Sequence, residues 1–160
     1  MSSRSCRTIR RQPRSASQRV SKQRERDQRG MSSSVVRTRH YRDLIVWQKA
    51  MQFTQAIYSA TQSFPRDEIY GLTSQLRRAA VSVPSNIAEG HGRLSDRSLR
   101  VFLAQARGSL YEVETQVQIA STLGYLDAAA AEGLATSSAE VGRLINGLLR
   151  TLRTSEDEAS

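Results

Sequence analysis

An apolar repeat with a period of 3.5 residues runs through the third quarter of the chain. Its members alternate in steps of four and three residues, at Leu99, Leu103, Ala106, Leu110, Val113, Val117 and Ala120. This spacing places them on one stripe of a helix that packs in a left-handed bundle. We predict that Ser95 or Asp96 caps this helix and that Gly124 ends it. A helix of about 28 residues is ~42 Å long.

Two further stretches carry similar helical patterns. The first is predicted to begin after an N-cap at Asp43 and to run to about Gln62, because the residue before Pro65 is disfavoured in a helix. Its apolar face is predicted to hold Trp47, Ala50, Met51, Thr54, Ile57 and Tyr58. The last helix is predicted over residues 127–153. Its apolar face is predicted to hold Leu134, Ser138, Val141, Ile145, Leu148 and Leu152.

A proline interrupts the second helical stretch. The apolar positions of this stretch are Leu72, Leu76, Ala79, Val83 and Ile87. Pro84 has no backbone N–H and its ring clashes with the preceding turn, so we predict a helix that is kinked or split there. In the split form, Ser85 caps the second piece. Gly90 and Gly92 are predicted to end the helix.

The pattern of four helices determines the predicted architecture. No segment alternates apolar and polar residues for long enough to predict a strand. Short connections between long helices favour antiparallel neighbours. The sequence therefore predicts an all-α, antiparallel up-down four-helix bundle over residues 41–153, followed by a disordered acidic tail at 154–160. No stretch approaches the ~18 apolar residues of a membrane span.

The excess positive charge lies in the first quarter of the chain. The net charge is +9 overall, but residues 1–40 hold twelve Lys or Arg against two acidic residues. This Arg/Ser-rich segment has little to bury, so we predict a disordered arm. Three interpretations stay open: an arm that binds nucleic acid, an organelle transit peptide, or a gene-model extension before a true start at Met31. A chain that starts at Met31 has a net charge near +1.

Several motifs of the predicted bundle resemble a known family. They are RDLIVWQKA at 42–50, FP at 64–65, the long segment YGLTSQLRRAAVSVPSNIAEG at 70–90, GSL at 108–110, Glu112, ETQ at 114–116 and LGYL at 123–126. Over residues 41–153 the chain resembles the bacterial four-helix-bundle proteins encoded within intervening sequences of 23S ribosomal RNA genes. The resemblance implies a cytoplasmic homopentamer, shaped like a barrel around a central channel. It also implies kinship with the accessory variability factor of diversity-generating retroelements, which binds nucleic acid and a reverse transcriptase.

Six arginines are candidates for contacts with nucleic-acid phosphates: Arg77, Arg78, Arg93, Arg97, Arg100 and Arg107. Guanidinium groups can grip phosphate oxygens with two parallel hydrogen bonds. Segment 93–107 holds four of them against one acidic residue, Asp96, and its spacing puts Arg100 and Arg107 on one helix face with Arg97 beside them. The alternatives for this segment are an ordinary solvated face or a contact between subunits.

Arg77 and Arg78 are adjacent, so their side chains point about 100° apart on a helix. In one interpretation they grip phosphates or the carboxylates of a neighbouring subunit. In the other, which we favour, one of them pairs inside the bundle with Glu89 or Glu112 and the other is solvated.

Polar residues on or near the apolar stripes form a second candidate set: Gln75, Asn86, Glu89, Glu112, Gln116 and Asn146. Buried polar groups must be hydrogen-bonded and can fix the register of helices. We therefore interpret this set as a structural polar network rather than as acid–base machinery. The small residues Gly108, Ser109 and Gly147 suit close helix approach, and so an interface.

Signals for catalysis are weak. His40 and His91 lack the i, i+4 spacing of a helical zinc site, and the chain has one cysteine, Cys6. It also lacks the Glu-x-x-His pairs of diiron bundles. We predict a non-enzymatic, cytoplasmic homo-oligomer without metal or cofactor that binds RNA or a ribonucleoprotein and no membrane. The alternative is a scaffold that docks a cytoplasmic partner, such as a reverse transcriptase, without contacting nucleic acid directly.

Overall fold

The computed structural model of the chain describes residues 40–157, with side chains through Leu152. The predicted basic arm therefore lies outside the described residues, apart from His40. Four helices are present: α1 (Ile45–Ala60), α2 (Leu72–Gly92), α3 (Asp96–Thr122) and α4 (Ala128–Asp157). Short 3-10 turns precede and follow α1, and no strand occurs in this part of the chain. The prediction of an all-α four-helix bundle is confirmed.

The four helices pack in a cycle. α1 lies against α2 and α4, and α3 lies against the same two helices, with the α2–α3 contact the most extensive. Along α2 and α3, Ser82 meets Ser109 while Gly90 meets Leu99, so a later residue on one helix meets an earlier residue on the other. This order of contacts is the one produced by neighbouring helices that run in opposite directions.

The 3.5-residue stripe of α3 forms the centre of the core. All seven of its predicted apolar positions are buried, and Ser95 caps the helix by accepting a hydrogen bond from the Ser98 N–H at 3.5 Å. Gly124 follows α3 with a φ of +75°, a conformation that favours glycine. On α4, five of the six predicted positions are buried and Leu148 is half-buried.

The core-facing side of α1 differs from the predicted one. Its buried side chains are Val46, Ala50, Phe53, Thr54 and Ile57. Trp47 and Met51 are only half-buried, and Tyr58 is exposed. Because α1 is apolar over much of its circumference, its periodicity did not identify the residues that face the core. Trp47 packs edge-on against Tyr41 instead, with ring centroids 5.2 Å apart.

The predicted cap of α1 is also wrong. Asp43 belongs to a 3-10 turn, Tyr41–Asp43, whose own cap is the His40 imidazole, which accepts a hydrogen bond from the Arg42 N–H at 3.2 Å. The N-cap of α1 is Leu44, which makes no side-chain capping bond. Leu44 is buried, so its packing against the core fixes where the chain enters the helix.

α2 continues through Pro84, so the helix is not split, and the predicted kink stays a prediction. Proline cannot donate to the carbonyl four residues earlier, which here belongs to Ala80. The Thr54 hydroxyl lies 2.9 Å from that carbonyl oxygen, and both residues are buried. The same hydroxyl also lies 2.9 Å from the Ala50 carbonyl oxygen, so its one proton is shared between two acceptors, and the Ala80 carbonyl gains a side-chain partner in place of Pro84. Ser85 does not cap a new helix, because its hydroxyl donates to the Val81 carbonyl.

Two predicted helix ends need correction. Gly90 is buried inside α2, and the helix ends at Gly92. A Cβ on Gly90 would lie 2.7 Å from the Cβ of Phe102, so this glycine permits the close approach of α3. α4 extends to Asp157, four residues beyond the predicted boundary, because neither Gly nor Pro follows Arg153 to break the helix. The last three residues of the predicted tail lie outside the described part.

Candidate nucleic-acid interface

A basic groove runs between the first half of α3 and the last third of α4. We call it the α3–α4 groove, and its volume is about 640 Å³. Its lining residues are Arg97, Arg100, Val101, Ala104, Arg107, Asn146, Leu149 and Arg150. Four of them are arginines and none is acidic. A concave surface with charges of one sign attracts counter-ions of the opposite sign, so the groove favours anions.

Three of the groove arginines come from α3 and one comes from α4. Arg100 and Arg107 lie two turns apart on α3, while Arg150 lies one turn beyond Asn146 on α4. The Arg107 guanidinium donates from Nη1 to the Asn146 Oδ1 at 3.2 Å. This bond joins the two walls and holds a half-buried arginine in place. Asn146, predicted as part of a structural network, is therefore also part of the candidate interface.

Three of the predicted arginines lie in the groove, and Arg93 does not. Its guanidinium forms an ion pair with Glu89, with Nη2 2.7 Å from Oε1, and lies 5.6 Å from the centroid of the Phe102 ring. An exposed i, i+4 pair of this kind contributes about 0.3–0.5 kcal/mol. Its main consequence is that the charge of Arg93 is already balanced.

Arg77 and Arg78 belong to a different groove, between α1 and α2. The Arg77 Nε donates to the Thr61 Oγ1 at 2.8 Å, and its guanidinium carbon lies 5.0 Å from the centroid of the Tyr58 ring. Arg78 is exposed. Among the described residues neither arginine pairs with Glu89 or Glu112, so that interpretation is wrong. Thr61 and Tyr58 are the partners of Arg77 because they face it from the last turn of α1 and the turn that follows.

A family model matches most of the part of the chain that forms the bundle. The model of the 23S rRNA-intervening sequence proteins matches residues 42–147. The chain belongs to this family.

A solved structure from Bacteroides thetaiotaomicron, described as a protein of unknown function from the S23 ribosomal protein family, has a similar fold. The TM-score is 0.60 at 19% sequence identity, over 66% of this chain and 98% of that one. No curated protein matches the chain. Neither match indicates an enzymatic family. The predicted kinship with the accessory variability factor stays a prediction.

In this 23S rRNA-intervening sequence protein, the predicted polar set makes separate contacts. The Asn86 amide donates to the Ser82 carbonyl at 2.9 Å, and the Ser82 hydroxyl lies 2.9 Å from that of Ser109 on α3. The Gln116 amide donates to the Glu112 carboxylate within α3 at 3.1 Å. The structure therefore places these residues at several points along the bundle and does not join them in one network.

Other members of the set are placed differently. Gln75 is exposed on α2, and Glu89 pairs with Arg93. A bond missing from the prediction joins α3 to α4, where the Ser138 hydroxyl donates to the Glu114 carboxylate at 2.6 Å. Among the described residues, no atom lies within 4 Å of a Cβ added at Gly108 or Gly147, so neither glycine makes a close helix contact there.

Sequence reasoning missed Arg150. Its one available signal is its position four residues after Asn146, on the same helical face. Its proximity to the arginines of α3 depends on the register between two helices, which the sequence of α4 alone does not define. Within residues 40–157, no helix is long and apolar enough to cross a membrane.

Proposed function

We propose that this family member is a non-enzymatic, homo-oligomeric protein of the cytoplasm that binds RNA through the α3–α4 groove. One observation carries the proposal: four arginines from two helices line one concave surface, and no carboxylate shares that lining. The family description, which names an intervening sequence of ribosomal RNA, supports RNA as the polyanion.

The groove suits phosphates better than a single small anion. Its arginines are spread over three turns of α3 and one position of α4, which matches a chain of phosphates along a backbone. Contacts of this kind position a nucleic acid without reading its sequence. Their affinity comes largely from the release of condensed counter-ions, so it falls steeply with salt.

The salt dependence of RNA binding tests this proposal. We expect the full chain to bind a structured RNA hairpin with log K falling linearly with log salt, at about −0.7 to −0.9 for each phosphate contact. Fluorescence anisotropy of a labelled hairpin between low and moderate salt gives this slope. If the full chain shifts no structured RNA even at low salt, RNA binding is excluded.

Two uncharged faces support self-association. The outer face of α1 holds Ile45, Gln48, Gln52 and Gln55, and the one charged residue of this helix, Lys49, pairs with Glu140 of α4 at 2.9 Å. A stripe along the second half of α3 is also uncharged, and its exposed residues include Gly108, Tyr111, Thr115 and Gln118. Depletion of charged residues is typical of the centre of a protein interface.

The geometry of the packing cycle suits a ring. α1 and α3 occupy opposite corners, so their uncharged faces point to opposite sides of the bundle. Contact between the α1 face of one copy and the α3 face of the next is head-to-tail, and such contacts close into rings when the rotation allows. The homopentamer implied by the resemblance is an arrangement of this kind.

Light scattering of the purified full chain measures the oligomer directly. We expect a mass about five times the chain mass of 17.9 kDa, because the resemblance implies a pentamer and a closed ring covers both faces of every subunit. A mass near that of one chain at working concentration excludes self-association. That result favours the second candidate function, a scaffold whose uncharged faces dock another protein such as a reverse transcriptase.

A further inference from the structure

The α1–α2 groove lies on the side of the bundle opposite the α3–α4 groove. Its volume is about 940 Å³, and its lining combines arginines with exposed apolar side chains. Three arginines lie in its lining, Arg66, Arg77 and Arg78. The exposed apolar members of the lining are Tyr58, Ile69 and Val81. No acidic residue belongs to this lining.

The central arginine is held rigidly. Arg77 is half-buried between a hydrogen bond to the Thr61 hydroxyl at one side and the Tyr58 ring at the other. Within the described residues, no carboxylate lies within ion-pair distance of it. The Nε bond leaves its terminal N–H groups as further donors. A guanidinium that is already oriented loses little rotamer freedom on binding an anion.

Glu68, one of two acidic residues in the turn that holds Arg66, is bound to other partners. Its Oε2 accepts the Leu72 N–H at 2.8 Å. Its Oε1 accepts a hydrogen bond from the Tyr125 hydroxyl at 3.4 Å. Burial raises the pKa of Tyr125, and the charge and hydrogen bond of Glu68 raise it further, so the phenol stays a donor. Glu68 thus forms hydrogen bonds that stabilise the turn and does not pair with the arginines.

A buried hydroxyl in the lining provides an independent observation. Thr73 belongs to the first turn of α2 and is 5% exposed. Its Oγ1 has almost no accessible surface and no hydrogen-bond partner among the described residues, while the residue as a whole belongs to the groove lining. A buried hydroxyl without a partner is unfavourable. The lining therefore contains an unsatisfied polar group.

We propose that the α1–α2 groove binds a nucleoside phosphate. The phosphate lies against the arginines, and the base lies against the exposed apolar side chains of Tyr58, Ile69 and Val81. Hydroxyl and amide side chains of the lining offer partners to the ribose. The volume falls within the range of sites for small ligands, about 300–1,000 Å³. This combination of arginines with exposed apolar side chains distinguishes it from the α3–α4 groove, where arginines predominate.

The ligand can be a free nucleotide or the phosphorylated end of an RNA. Both present the same phosphate and base, so titration with separate probes identifies the source. Adenosine 5′-monophosphate, adenosine, inorganic phosphate and an acidic peptide of glutamates are titrated into the full chain by calorimetry. Short RNA oligonucleotides with a 5′-phosphate or a 5′-hydroxyl then compete with the nucleotide.

We expect the nucleotide to bind at least about tenfold more tightly than either adenosine or inorganic phosphate, because each lacks one half of the contact. Competition by the 5′-phosphate oligonucleotide alone identifies an RNA end as the source, and failure of both oligonucleotides to compete identifies the free nucleotide. Absence of saturable heat up to about 1 mM nucleotide overturns the proposal. So does equal binding of the glutamate peptide, which needs no base.

The variant Arg78→Glu and its matched control Arg143→Glu distinguish binding in this groove from a general effect of the positive charge of the chain. Both arginines are exposed, and Arg143 lies on α4 outside both groove linings. We expect Arg78→Glu to weaken nucleotide binding about tenfold or more while Arg143→Glu leaves it nearly unchanged. Equal effects of the two variants attribute the binding to general positive charge and overturn the proposal. The thermal midpoint of each variant shows that the bundle is intact.

Discussion

Replacing Arg97, Arg100, Arg107 and Arg150 together with glutamine is expected to weaken RNA binding about a hundredfold at moderate salt. Each arginine that contacts a phosphate releases condensed counter-ions, so the loss of four contacts also makes the log–log salt slope shallower by about three. Anisotropy titrations of one labelled hairpin, repeated at several salt concentrations, measure both quantities. Glutamine keeps much of the side-chain length and removes the charge, so packing along α3 and α4 changes little.

A matched control is available in the same part of the chain. Arg93 lies four residues before Arg97, at the end of α2, but its charge is balanced by Glu89 and it is outside the groove. Arg93→Gln should leave both affinity and slope nearly unchanged. The basic N-terminal segment, present in all variants, adds the same contribution to each, so the difference between variants isolates the groove. If the fourfold variant keeps the wild-type slope, the groove makes no phosphate contacts.

The success of sequence reasoning differed between helices for a physical reason. On α3 one apolar repeat in steps of four and three is sustained over the whole helix, so its seven core positions were predicted correctly although other apolar residues lie off the stripe. On α1, Val46 and Trp47 are adjacent and both apolar. The helical spacing of the apolar residues is therefore compatible with either one facing the core. The choice was decided by Tyr41, which packs with Trp47, and by the space that Phe53 fills in the core.

The candidate site was predictable only where it lies within one helix. Arg100 and Arg107 were expected to share a face because their separation is two turns of the same helix. Arg150 joined them through contacts between helices, such as that of Glu114 with Ser138. Because the sequence gives no distances between helices, Arg77 was grouped with the arginines of α3. The hydrogen bond from Thr54 to the Ala80 carbonyl was invisible for the same reason.

The register of α2 against α3 depends on a residue that the sequence analysis treated as a helix end. Gly90→Val is expected to lower the free energy of unfolding by about 3 kcal/mol, the upper part of the usual range for overpacking. An added Cβ would lie 2.7 Å from the Phe102 Cβ and 3.4 Å from the Leu99 Cα. Neither atom is the end of a flexible side chain, so relief requires the two helices to separate. Chemical denaturation followed by circular dichroism measures the change.

Gly147→Val is the control, because Gly147 is also helical and half-buried but has no atom within 4 Å of an added Cβ. Only the helix propensity changes there. We therefore expect the free energy of unfolding to change by no more than about 0.5 kcal/mol, in the stabilising direction. Equal effects at the two positions would falsify the close approach at Gly90. A large loss of stability at Gly90 alone means that the absence of a side chain at this position allows the start of α3 to pack against α2. That contact fixes the helix end from which Arg97 and Arg100 reach the α3–α4 groove.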